Sequence, residues 1–192
     1  VPLQNSNIIR FIKLRFIDND EYFTRTGTLF DEENNMYPDN DERCIFFAKG
    51  IVETVKKLNW LPDIIHIHGW VSALLPLYLR TYYKDEPIFS ESKIITSVFD
   101  SDYDGALDSA LINKVAFDGI SKKTIDPLKN PTYYNLMRIA IKHSDGVIVV
   151  SEKMPDDFKT YLKNLRKPVI YNSDKETFQE SYREFYTKIL KK

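Results

Sequence analysis

The chain has 192 residues, of which 43% are hydrophobic and 29% charged, the balance of a globular domain and not of a disordered chain. Lys and Arg total 27 against 28 Asp and Glu, a formal net charge of −1, so no strong field draws in nucleic acid or an anionic membrane. The single cysteine, Cys44, excludes an internal disulfide framework and a Cys-rich zinc module.

No apolar run approaches the ~20 residues of a membrane-spanning helix. The start, Val1-Pro2-Leu3-Gln4-Asn5, is neither a signal peptide nor an initiator Met. The expectation is a cytoplasmic chain that begins inside a longer natural protein. The six glycines are well separated, so neither G-x-G-x-x-G nor a Walker loop can be written from them. Aromatics reach 14%. Sugars stack on such rings, but filling the core is their first use.

Phe11 to Ile17 partly alternates apolar and polar residues and predicts a strand. Asn19 to Asn40 is rich in Asp, Asn, Glu and Thr and reads as a long loop. Asp41 to Asn59 predicts a helix, with Ile45, Phe46, Ala48, Ile51, Val52, Val55 and Leu58 at three- and four-residue spacing and Asp39 or Asp41 as N-cap. Ile64 to His68 is a short, mostly apolar strand of the kind buried on both faces. Trp70 to Tyr83 predicts a helix, and Lys93 to Phe99 a second buried strand. An acidic loop covers Asp100 to Asp108. Leu111 to Asn130 reads as loops with short helices. Tyr133 to His143 is a helix, Gly146 to Val150 a strand, Pro155 to Leu165 a helix and Pro168 to Tyr171 a brief strand. An amphipathic helix over Asp174 to Leu190 carries Phe178, Tyr182, Phe185, Tyr186 and Ile189 on one side.

This alternation predicts an α/β fold: a Rossmann-like, mainly parallel sheet with helices on both faces and right-handed crossovers. Such sheets bind ligands beyond the carboxyl ends of their strands, in the cleft at a switch point. That rule selects His68-Gly69-Trp70, Phe99-Asp100 and Ser151-Glu152.

His66 and His68 lie two apart on one strand, so their side chains share a face. Two histidines are too few for a metal site. The plain expectation is one buried His bonded to the backbone and one at the strand end, where His68 meets a ligand. Asp100-Ser101-Asp102-Tyr103-Asp104-Gly105 opens like a calcium loop, but its twelfth position is Leu111, not Glu. It reads as a solvated acidic loop. Asp39 to Arg43 is accounted for by helix capping. No G-x-S-x-G elbow occurs.

Taken in order, several segments resemble the N-terminal catalytic half of bacterial glycogen synthases and plant starch synthases. Tyr37-Pro38-Asp39-Asn40-Asp41-Glu42-Arg43 resembles the family's Tyr-x-Asp-Asn-x-x-Arg. Pro62-Asp63-Ile64-Ile65-His66-Ile67-His68-Gly69-Trp70 resembles its Pro-Asp-hydrophobic-hydrophobic-His-x-His-Asp-Trp run, and Leu75-Pro76-Leu77-Tyr78-Leu79 the helix that follows. Ser144-Asp145-Gly146-Val147-Ile148-Val149-Val150-Ser151 and Ala116-Phe117-Asp118-Gly119 match two further elements.

The resemblance implies one half of a GT-B fold and transfer of glucose from ADP-glucose to the non-reducing end of an α-1,4-glucan, with retention. It implies no metal and no cofactor besides the donor substrate. It places His68 and Asp39 as catalytic residues, with Asn40, Trp70, Ser97 and Asp100 as substrate-binding residues. Polar groups at strand ends hydrogen-bond sugar hydroxyls and stabilise a developing oxocarbenium charge.

Departures accompany it. The family's Lys-x-Gly-Gly-Leu loop has no counterpart. Gly69 replaces the Asp after the second His. Thr96-Ser97-Val98-Phe99 replaces Thr-x-His-Asn, losing His and Asn. The second domain, with most of the nucleotide site, has no match in these residues. The expectation is a shortened one-domain member over residues 1–192, with a terminal helix over 174–190 packing on it. The competing expectation is a non-catalytic partner that binds glucan, forms a homo-oligomer or docks onto another synthase.

Overall fold

The computed structural model describes residues 19–151, 153–171 and 178–191. The strand expected over Phe11 to Ile17 and the first turn of the terminal helix expected from Asp174 lie outside the described residues. In chain order the elements are α1 (Asp20–Phe23), α2 (Asn40–Lys57), β1 (Ile64–His68), α3 (Leu75–Arg80), β2 (Lys93–Val98), α4 (Leu111–Phe117), α5 (Tyr133–Lys142), β3 (Gly146–Val149), α6 (Asp156–Lys163), β4 (Val169–Tyr171) and α7 (Phe178–Leu190). Short 3-10 turns cover Trp70–Ser72, Pro87–Phe89 and Asp126–Lys129.

The four strands form one parallel sheet in the order β1-β2-β3-β4. Right-handed crossovers through a sheet that grows in one direction put every connecting helix on the same face. The packing agrees. Ile67, Ile94, Val98, Val147 and Val149 join the large core made with α2, α3, α5 and α6. The opposite face is covered by α7, whose Phe185 and Ile189 pack on Ile95 and Ile148. The terminal helix therefore makes this a sheet with helices on both faces. The strand order contains no reversal among the described residues, so a switch point does not locate a site here. The candidate residues His68 and Asp100 lie at or just beyond the carboxyl ends of β1 and β2.

Local chemistry accounts for the elements. Cys44, Ala48 and Val52 recur at four-residue spacing on α2 and are fully buried, one apolar stripe facing the core. The single helix expected over Trp70 to Tyr83 is instead a 3-10 turn followed by α3. Pro76 has no N–H to donate to Ser72, and its ring would clash with that carbonyl, so it is accommodated only in the first turn of a helix that starts there. β1 ends at Gly69, whose φ of +71° lies in the region that side chains rarely adopt.

Candidate functional site

The sheet alternation fixes where the two histidines go. Ile65 and Ile67 point to the large core, so His66 and His68 share the α7 face. Their rings are 4.1 Å apart, centroid to centroid. His66 is bonded to side chains and not to backbone: Nε2 lies 2.7 Å from Ser97 Oγ and Nδ1 lies 2.6 Å from the Tyr186 hydroxyl. Burial, with His68 adding to it, drops its pKa to about 3, so it stays neutral at physiological pH. His68, one pleat further on, is exposed. Its ring is 5.8 Å from that of Phe99. Desolvation lowers its pKa as well, leaving a neutral imidazole able to donate and accept one hydrogen bond each.

The rim beyond β2 and β3 is polar. Ser151 Oγ donates to the carboxylate of Asp100, which is exposed. The Tyr133 hydroxyl lies 3.4 Å from Phe99 N and 3.5 Å from Phe99 O, holding the end of β2. Asp102 comes over Gly69: its Oδ2 is 3.8 Å from where a Cβ on Gly69 would stand. Desolvation raises the pKa of Asp102, and the nearby Trp70 backbone N–H works in the opposite direction.

The other expected site residues occupy varied settings. Asp39, just before α2, is held by both guanidinium nitrogens of Arg25, which also lies 4.5 Å over the Tyr37 ring. Asn40 is fully buried; its Nδ2 donates to Leu29 O at 2.9 Å and its Oδ1 accepts from Arg43 at 2.8 Å. Trp70 is 5% exposed, its ring edge against Tyr103. Ser97 is fully buried and faces His66. The start of α2 is brought to the end of β1 by Cys44, whose thiol lies 3.6 Å from Trp70 O. Of the six residues, His68, Asp39 and Asp100 present polar atoms near solvent, while Asn40, Trp70 and Ser97 face inward.

A separate cleft of about 630 Å³ opens between the loops after β2 and β3, over the start of α5. Tyr103, Tyr134, Asn135, Arg138 and Asp157 line it, and His68 does not. Among the described residues, no group of three His, Cys, Asp or Glu side chains is placed to hold a metal ion, and no helix is long and apolar enough to cross a membrane.

Sequence reasoning did not single out Tyr186 as a site residue. Tyr186 was visible as part of an aromatic stripe.

A four-stranded parallel sheet with helices on both faces defines a Rossmann-like α/β domain. The family model of the starch synthase catalytic domain matches residues 5–167, and the chain belongs to that family. A glycogen synthase of Geotalea uraniireducens is 33% identical over 157 residues, 82% of this chain and 31% of its own length. Glycogen synthases of Thermotoga petrophila and Chlorobium limicola are each 32% identical, over 78% and 76% of this chain and 29% of their own. The chain thus spans less than a third of the length of these relatives. No solved structure matches it.

Proposed function

We propose that this domain supplies one wall of a glucosyltransferase site, with ADP-glucose as donor and the non-reducing end of an α-1,4-glucan as acceptor. The observation that carries the reading is His68: an exposed, neutral imidazole at the carboxyl end of a parallel strand, where such sheets take their ligands. Its ring hydrogen-bonds a sugar hydroxyl, and Asp39 and Asp100 are the carboxylates closest in kind to what a developing oxocarbenium charge requires. Arg25 holds Asp39 in place and partly offsets its charge. No metal enters this scheme. A cytoplasmic setting, where nucleotide sugar is supplied, belongs to the same proposal.

Incubation with ADP-glucose and a maltodextrin primer tests it. Glucan elongation that disappears in His68→Ala is the expected result. No elongation at high protein concentration removes turnover by these residues alone. The donor groups that the family carries on its second domain have no match among these 192 residues, and misplacing reacting groups by ~1 Å already costs about 100-fold.

One observation favours a second reading, a non-catalytic glucan-binding domain or synthase partner. Val98 and Phe99 stand where the family carries His and Asn, and Val98 is fully buried. Retention on glycogen without elongation, or a mass above that of a monomer on sizing, is the result that selects it.

A further inference from the structure

Helix α7 closes one face of the sheet, yet its first half is not core. Phe185 and Ile189, toward its end, are each 2% exposed. Phe178 and Tyr182, in its first two turns, differ: Phe178 is 42% exposed and Tyr182 is half-buried. These two rings continue the His68 site. Tyr182 lies 5.7 Å from Phe178, centroid to centroid, and 5.7 Å from His66. The His66 ring is 4.1 Å from that of His68, which is 5.8 Å from Phe99. The rings of Phe99, His68, His66, Tyr182 and Phe178 thus form one unbroken strip, from the end of β2 across β1 to the start of α7. Each keeps part of its surface: His68 and Phe178 are exposed, and Phe99, His66 and Tyr182 are half-buried.

The strip reaches the edge where parallel sheets take their ligands. β4 delivers the chain to the carboxyl edge at Tyr171, and Ile189, near the far end of α7, packs against Gly146, the first residue of β3. The helix therefore runs from the carboxyl edge toward the amino edge, with Phe178 at the ligand-binding end. Aromatic faces accept the C–H faces of sugar rings, and the exposed imidazole of His68 exchanges hydrogen bonds with hydroxyls. These side chains offer no counter-charge to a diphosphate. A purine covers one ring, whereas a run of rings 4.1 to 5.8 Å apart suits a polymer whose units repeat.

We propose that this strip is a track for a linear α-glucan, with one end at His68 and the other on Tyr182 and Phe178 of α7. The assignment rests on the sugar-binding reading of His68, and its test separates the two.

Calorimetric titration of the full chain with maltose, with maltoheptaose and separately with ADP-glucose measures it. Affinity is expected to rise from maltose to maltoheptaose. Phe178→Ala, at an exposed position, is expected to weaken maltoheptaose about three- to tenfold, the worth of one stacked ring, and to leave maltose and ADP-glucose unchanged. Tyr182→Ala is expected to act in the same direction. Phe178→Trp is expected to keep the affinity, with the fluorescence of its added indole changing when maltoheptaose binds. Phe117→Ala removes a ring that is 91% exposed on α4, across the sheet from α7, and is expected to bind as the unaltered chain does. Circular dichroism confirms that each variant is folded. If His68→Ala weakens both oligosaccharides while Phe178→Ala and Tyr182→Ala weaken neither, the track is overturned and the His68 reading stands. If the two α7 variants weaken only ADP-glucose, the strip holds a nucleotide base and the track is equally overturned. If the unaltered chain binds neither oligosaccharide, or His68→Ala binds both as well as it does, the track and the His68 reading fall together.

Discussion

The Tyr186 hydroxyl lies 2.6 Å from His66 Nδ1 across 120 residues of chain. The terminal helix therefore does more than cover the sheet. It fixes the ring against which His68 is stacked, and with Ser97 on the opposite nitrogen it leaves that ring no free polar atom. His66 carries one proton when neutral, so one of its two partners receives a hydrogen bond and the other donates one.

Tyr186→Phe tests the arrangement. It retains the ring that packs edge-on at 5.7 Å from His66 and removes only the hydroxyl. One buried nitrogen is left unpaired, which costs about 1–3 kcal/mol. Urea unfolding measures that loss. Two-dimensional NMR of the imidazoles is expected to show the His66 ring shifted and the His68 titration moved, because the two rings touch. Unchanged stability and an unchanged His68 titration would mean that the hydroxyl does not hold the pair.

The pH dependence of stability follows from the same ring. The pKa of His66 falls from 6.5 in a free histidine to about 3 in the fold. Above pH 6.5 neither state takes the proton, and the group contributes no slope. Below it the unfolded chain binds a proton that the folded chain refuses, so stability falls as pH falls. The window runs from about 6.5 down to about 3, with a slope of at most ~1.4 kcal/mol per pH unit. Desolvation moves His68 and His143 in the same direction, so the total slope is not the test. The difference between the unaltered chain and His66→Gln in denaturant titrations from pH 7 to pH 4 is. His66→Gln is expected to be less steep, and equal slopes would contradict the burial assigned to His66.

The same face makes a demand on Gly146, the first residue of β3. A Cβ there would stand 2.9 Å from Phe185 Cζ and 3.0 Å from Ile189 Cδ1. Both side chains are anchored in the small core under α7, so they cannot swing freely aside. Gly146→Ala is expected to cost ~1–3 kcal/mol, the usual effect of overpacking. Hydrogen exchange localises the effect: the amides of α7 should lose protection before those of α5. Equal loss in both helices would mean that α7 is not the element displaced.

Much of this was legible in the residues. The strands Ile64–His68, Lys93–Val98 and Gly146–Val149 are short apolar runs between helical patterns, and a parallel sheet is the arrangement that buries such runs on both faces. The same-face placement of His66 and His68 follows from the two-residue period alone. The partners of His66 do not. A hydrogen bond to Tyr186 depends on where the terminal helix docks, and nothing local to His66 encodes that. The break in the helix after Trp70 was written in Pro76, but the run of leucines around it masks the signal. Asn40 illustrates a different gap. The Asp-Asn pair before a helix reads equally as cap, ligand group or core polar residue, and only burial separates these.

Asn40 provides a test on that point. Its amide joins the segment at Leu29 to the first turn of α2 and accepts from Arg43, whose guanidinium also donates to Thr28 O. Arg43 is itself 2% exposed, so losing Asn40 leaves a buried cation short of one acceptor and Leu29 O short of one donor. Asn40→Ala is expected to lower stability by ~2–4 kcal/mol, about two buried hydrogen bonds with one to a charged group. Affinity for maltoheptaose, measured at a temperature where the variant remains folded, is expected to hold, because no atom of Asn40 reaches the surface. A folded variant with unchanged stability and lost affinity would move Asn40 from the frame of the site into the site itself.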